Sequence, residues 1–200
     1  MKAYQEAVKR IPNADLVGQL ALAQWQAGQR EASFQTLQDW LAEHPEDTMV
    51  RYNLANLYLA AGRHEEAREA FSIVIETHPT HPVALTNLAL LTRETDPGKA
   101  LAYAKLAYAV TPDAPVVQDT LAQILLDQGD VKQAVRLLER AVEQAPNDLQ
   151  IRYHWAQALA RNGERAVAQR ELERILGTGK PFAGDDEARA LLEELSRGSE

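Results

Sequence analysis

Gly177-Thr178-Gly179-Lys180 is the stretch nearest to a phosphate-binding loop. Such a loop needs a glycine five residues before the Gly-Lys pair, a Ser or Thr after it, and a preceding strand. Arg174 and Pro181 stand at those two places, and the preceding residues have helical patterning, so a helix-end loop is the better reading. His78 and His81 flank Pro79 with Glu76 close by, and together they offer metal donors. Three separated donors in an exposed turn fit metal-site geometry poorly, and a solvated loop fits better. Glu65 and Glu66, beside His64, open a helix, where carboxylates suit the dipole. The four serines lack evident His and Asp partners, and neither G-x-S-x-G nor H-E-x-x-H is present. There is no cysteine, which removes disulfide and thiolate chemistry. The expectation is a protein that is not an enzyme and takes no metal or cofactor.

Tyr52, Asn53 and Asn56 carry a different chemistry, because helical spacing puts them on one face. What positions them is a repeat. Pro12, Pro45, Pro79, Pro112 and Pro146 follow one another at intervals of 33, 34, 33 and 34 residues. Ala21, Ala55, Ala89, Ala122 and Ala156 keep the same beat, as do Ser33, Ala67, Ala100, Ala134 and Ala168. Glycine returns at Gly28, Gly62, Gly129 and Gly163. Each period reads as two amphipathic helices. Small residues let the pair approach, Gly ends the first helix, and Pro follows the second. One such pair cannot bury its apolar face alone, so the pairs must stack.

The net charge of −8 favours solubility and argues against nucleic acid as a partner. No apolar run approaches the roughly 18 residues that a membrane span needs. Met1-Lys2 leads into no hydrophobic signal segment. Residues 1–13 read as the second helix of a truncated repeat, with Tyr4, Ala7 and Pro12 standing where Phe71, Val74 and Pro79 stand later. The expectation is a fragment of a longer array. Five repeats follow at about 14–47, 48–81, 82–114, 115–148 and 149–180, and a C-terminal capping helix and tail occupy 181–200. The third repeat lacks the usual Gly, but Asp96-Pro97 offers a cap and a first helical residue in its place.

Leu54-Ala55, Tyr58, Gly62, Ala67, Phe71 and Pro79 resemble the tetratricopeptide repeat (TPR) pattern, as do Leu121-Ala122, Gly129, Ala134, Ala141 and Pro146. The resemblance implies an all-α fold, a right-handed TPR α-solenoid, whose first helices line a concave groove. It assigns to that groove Tyr52, Asn53, Asn56, Asn87, Asp119, Gln123, Tyr153, His154 and Gln157, with Trp25 before them. Amides pair with an extended backbone as donor and acceptor, and Tyr adds rigid amphipathic area. The expected partner is therefore a protein or peptide segment, and no nucleic acid is expected. Alanine at Tyr52, Asn56 and Tyr153 is expected to weaken that binding with little effect on the melting temperature. Asn53, Asn56 and Asn87 are similar to part of the carboxylate clamp of chaperone-binding TPR domains. Asp119, Thr120 and Gln123 stand where that clamp needs cations.

A narrower likeness lies in Asp96-Pro97, Ala100-Leu101-Ala102-Tyr103-Ala104, Asp119-Thr120-Leu121, Gln128-Gly129-Asp130, Ile151-Arg152-Tyr153-His154 and Gly179-Lys180-Pro181-Phe182. These strings resemble the C-terminal part of bacterial TPR lipoproteins that accompany exosortase (PEP-CTERM) and exopolysaccharide systems. Ala122-Gln123 departs from that pattern, which has Gly-Trp. The likeness implies an envelope scaffold, periplasmic or at the outer membrane, whose missing N-terminal region carries a signal peptide and a lipidated cysteine. Two other readings fit the same sequence. One is a cytoplasmic TPR adaptor, and the other a structural spacer using its ends and convex face.

Overall fold

The computed structural model describes residues 13–197. The helix expected over residues 1–13 falls almost wholly outside them, as does the end of the tail. The helices are α1 (Ala14–Gln26), α2 (Arg30–Glu43), α3 (Thr48–Ala60), α4 (His64–Thr77) and α5 (Pro82–Thr92). They are followed by α6 (Pro97–Val110), α7 (Pro115–Asp127), α8 (Val131–Gln144), α9 (Leu149–Arg161), α10 (Arg165–Leu176) and α11 (Asp185–Arg197). Among the described residues there is no strand. The fold is all-α, built from helical hairpins. Two compact units divide at Leu91 and Thr92.

Local chemistry accounts for the hairpins. Gly28, Gly62, Gly129 and Gly163 have φ of +76°, +74°, +83° and +87°. These are left-handed values that a side chain resists. The residue after each glycine donates back to a carbonyl five residues earlier, as from Arg63 to Tyr58 at 2.9 Å, closing the first helix. Asp47, Asp130 and Asp148 start helices by accepting the N–H of Val50, Gln133 and Ile151. His81 Nδ1 accepts from Ala84 N–H at 3.2 Å and so caps α5. That bond occupies one of the two ring nitrogens of His81.

Asp96 accepts from the Lys99 N–H at 3.0 Å, with Pro97 in the first turn, and starts α6 without a preceding glycine. The Lys99 N–H, followed by the Lys99 ammonium, holds the Asp96 carboxyl below the ordinary aspartate range. A depressed folded-state pKa stabilises above the unfolded value, and that contribution is lost as pH falls through the folded value. An NMR titration should therefore place Asp96 below the midpoint of aspartate in an unfolded peptide. Equal midpoints would remove this cap from the stability of α6.

Within the first unit, Ala21, Ala55, Ser33 and Ala67 are buried where the paired helices meet, and Phe34, Leu37, Phe71 and Val74 fill the space between layers. Within the second unit, Ala122, Ala134, Ala156 and Ala168 take the same places, with Leu138 and Leu172 as filling. Phe182, Leu191 and Leu192 pack against the core of the last hairpin beside buried Ala188 and Leu195. A third device ties hairpin to hairpin. The carbonyl of the closing proline accepts from a side chain six residues on, from Arg51 to Pro45 at 2.6 Å, Gln118 to Pro112 at 2.8 Å and Arg152 to Pro146 at 2.6 Å.

Candidate binding groove

In the first unit α1 and α3 lie side by side and leave an open pocket of about 360 Å³. Leu22, Met49 and Leu57 supply its apolar wall, and Gln19, Asn53 and Asn56 its amides. Gly18 makes room for Asn53, since a Cβ there would stand 3.0 Å from the Asn53 amide nitrogen. Asn56 donates its own amide nitrogen to the Tyr52 carbonyl at 2.9 Å and keeps its amide oxygen for other partners. Tyr52 is half-buried, its ring edge-on to Phe71 at 6.2 Å and beside His81 at 4.9 Å, so it links the second hairpin to the start of α5. Asn87 is half-buried on α5. Trp25 lies over its own hairpin, 6.0 Å from Phe34 and beneath Arg30.

In the second unit three of the expected residues, Asp119, Gln123 and His154, form a connected polar row. Asp119, 7 % exposed, accepts from Gln123 at 2.9 Å and from His154 Nδ1 at 2.7 Å. His154 Nε2 meets the Gln150 amide at 2.7 Å. Gln123 accepts from Arg93, which also donates to Asp127 at 2.8 Å. Asp127 holds the Arg93 guanidinium above its ordinary pKa. These contacts tie α7 to α9, while the buried Gln150 amide oxygen has no hydrogen-bond partner among the described residues. Gln157 is half-buried on α9.

Tyr153 lies elsewhere. It is 7 % exposed, 6.1 Å from the Phe182 ring, and a Cβ on Gly184 would come within 2.9 Å of it. Burial, followed by the charge of Glu187, pushes the Tyr153 hydroxyl above its ordinary pKa. Alanine at Tyr52 or Tyr153 removes packing. The triple replacement with Asn56 should therefore lower the melting temperature. An unchanged melting temperature would free both rings from that packing role.

The polar reading of the sequence passed over exposed apolar side chains on the same helices. Leu22, Met49, Val83 and Leu90 are 50, 62, 45 and 41 % exposed in the first unit, and Val116 is 60 % exposed in the second. Their signal is periodic. Met49, Val83 and Val116 recur at 34 and 33 residues, and Leu22 and Leu90 share the repeat position of Asn56. At Gly177–Lys180 the loop is a helix end, with Thr178 Oγ1 donating to the Ile175 carbonyl at 2.7 Å. Among the described residues no three His, Asp or Glu side chains gather as metal donors. No described helix is long and apolar enough to cross a membrane.

Hairpins of nearly constant length, built on small residues, glycines and prolines that recur at one period, define a helical repeat protein. A family model described as tetratricopeptide repeat matches residues 24–91, 91–154 and 125–195, and the chain belongs to that family. Proteins of this family are in general non-catalytic scaffolds.

TPR repeat-containing protein PA4667 of Pseudomonas aeruginosa is 28 % identical over 153 residues, which cover 71 % of this chain and 26 % of that protein. Cellulose synthase 1 operon protein C of Komagataeibacter xylinus is 32 % identical over 147 residues, 68 % of this chain and 11 % of that protein. The chain thus spans 26 % or less of these two relatives. A solved tetratricopeptide repeat protein from Parabacteroides merdae superposes with a TM-score of 0.79 at 18 % identity, over 99 % of this chain and 78 % of that one. That likeness shows the fold.

Proposed function

We propose that this chain is a non-catalytic scaffold whose first helices receive an extended segment of a partner protein. The observation that carries this reading is the open pocket between α1 and α3, where exposed Leu22 and Met49 stand beside the amides of Asn53 and Asn56. Apolar wall and paired amides together suit a peptide, whose side chains need burial and whose backbone needs hydrogen bonds. A groove on rigid helices is preorganised, so binding costs order mainly in the ligand.

The setting we propose is a bacterial envelope system for exopolysaccharide, with protein sorting of the exosortase (PEP-CTERM) kind as its narrower form. Support comes from the name of the Komagataeibacter relative and from the strings around Asp96-Pro97 and Ile151–His154. The parent protein would then lie in the periplasm or against the outer membrane.

A photo-crosslinking residue at Met49 of the full-length protein, in its own cells, tests both parts. The expected result is an adduct with one envelope protein, absent when the probe sits at Ile73 on α4 and lost in Leu22→Glu. Equal adducts from Met49 and Ile73 would overturn the groove. A specific adduct recovered only with cytosolic proteins would keep the groove and overturn the envelope setting.

A further inference from the structure

The second unit carries a basic face on its second helices, distinct from the groove residues. Arg136 and Arg140 stand four apart on α8, and Arg170 and Arg174 stand four apart on α10. The two pairs are 34 residues apart by subtraction (170 − 136 and 174 − 140), so they occupy the same two repeat positions. Spacing by four puts both members of a pair on one helix face. All four are exposed.

Among the described residues none of the four makes an ion pair or a side-chain hydrogen bond. Arg63, Arg93, Arg152, Arg189 and Arg197 all do, with Glu66, Asp127, Glu171, Asp185 and Glu193. Acids were within reach, since Glu139 and Glu143 follow Arg136 and Arg140 by three residues. In a chain of net charge −8, four guanidinium groups left open at periodic positions form a local surface of opposite sign.

That surface has a shaped part. Tyr108 of α6 stands with Gln133, Arg136, Leu137 and Arg140 around a cleft of about 140 Å³. On the same side of α6, Lys105 stands three residues before Tyr108, and the helix itself carries no acid. A guanidinium fork beside a Tyr ring selects a carboxylate attached to something apolar. Glu139, Glu143 and Glu173 are interspersed on the same helices, so a continuous polyanion such as nucleic acid or an anionic bilayer meets repulsion along with attraction. Discrete carboxylates can avoid those acids.

We propose that this face docks an acidic helix of a partner protein. Its carboxylates, four residues apart, meet Arg136 and Arg140, and an apolar side chain between them enters the cleft at Tyr108 and Leu137.

The test uses the whole chain and a fluorescein-labelled synthetic helix with Glu at every fourth position and Leu between. Three comparisons accompany it: a peptide of the same composition with Glu at every second position, phosphatidylglycerol vesicles, and a high-salt measurement. Anisotropy should report salt-sensitive binding of the first peptide, weakened about tenfold by Arg136→Gln with Arg140→Gln. Arg170→Gln with Arg174→Gln should weaken it severalfold. Unchanged circular dichroism would show that these exposed replacements leave the fold intact. Equal affinity in the variants, equal affinity for both peptides, or binding to the vesicles alone would overturn the proposal.

Discussion

Alanine at Phe71 is expected to cost about 3–5 kcal/mol of stability, against less than about 0.5 kcal/mol for alanine at Ile73 two residues away. Phe71 has no exposed surface, while Ile73 is 37 % exposed. The phenyl ring fills the space between α4 and α3, with Tyr52 edge-on to it at 6.2 Å. Its removal leaves a void that close-packed neighbours can only partly fill. Ala67, Ala70 and Val74 around it on α4 are themselves small and buried, and cannot swing in to replace it. Because repeats are coupled to their neighbours, the loss should appear first as faster hydrogen exchange in α3 and α4, ahead of global unfolding. Equal denaturant midpoints for the two variants would show that the ring is dispensable.

Glu171→Ala should destabilise by about 3–5 kcal/mol, whereas replacing Arg152 and Glu171 together by Met and Leu should come close to neutral. The two side chains pair between α9 and α10 with only 6 % and 10 % of their surface exposed. A charge that has left water is tolerable while its partner is present, and truncating the carboxylate strands the guanidinium without water or counter-charge. The double replacement removes both charges but also loses the bond from Arg152 Nε to the Pro146 carbonyl, a cost of about 1 kcal/mol. A double-mutant cycle by urea denaturation measures the coupling. A double variant as unstable as Glu171→Ala would show that the ion pair itself, and not the stranded charge, sets the energy.

Features governed by neighbours in sequence were legible before the structure. A glycine with positive φ, an aspartate three residues before a helical N–H, and a proline after a helix each act within one turn, so Gly62, Asp96 and Pro79 could be read singly. The small-residue ladders were legible because the fold repeats them. Tyr153 was not, because its surroundings come from Phe182 and Gly184, about thirty residues on and outside any repeat position. Tyr52 illustrates the same limit at shorter range, where a ring assigned to a binding face also meets Phe71 and His81. The exposed Met49, Val83 and Val116 were visible in the sequence as a periodic pattern. Apolar residues in a helix are ordinarily taken as core, and only the packing shows which of them face outward.

The bond from three of the first helices to the closing proline of the hairpin before has a consequence for how such a chain can change over generations. Arg51, Gln118 and Arg152 each reach back six residues to a main-chain oxygen, which every amino acid supplies. This bond therefore asks nothing of side chains in the preceding hairpin. Unequal crossing-over that adds or deletes one whole period would bring together two ends that already fit, whereas a break inside a hairpin would separate Gly, cap and small-residue contacts at once. Lengthening by duplication is then an easy step for this molecule, and a new hairpin can diverge in its exposed residues without renegotiating the joint that holds it.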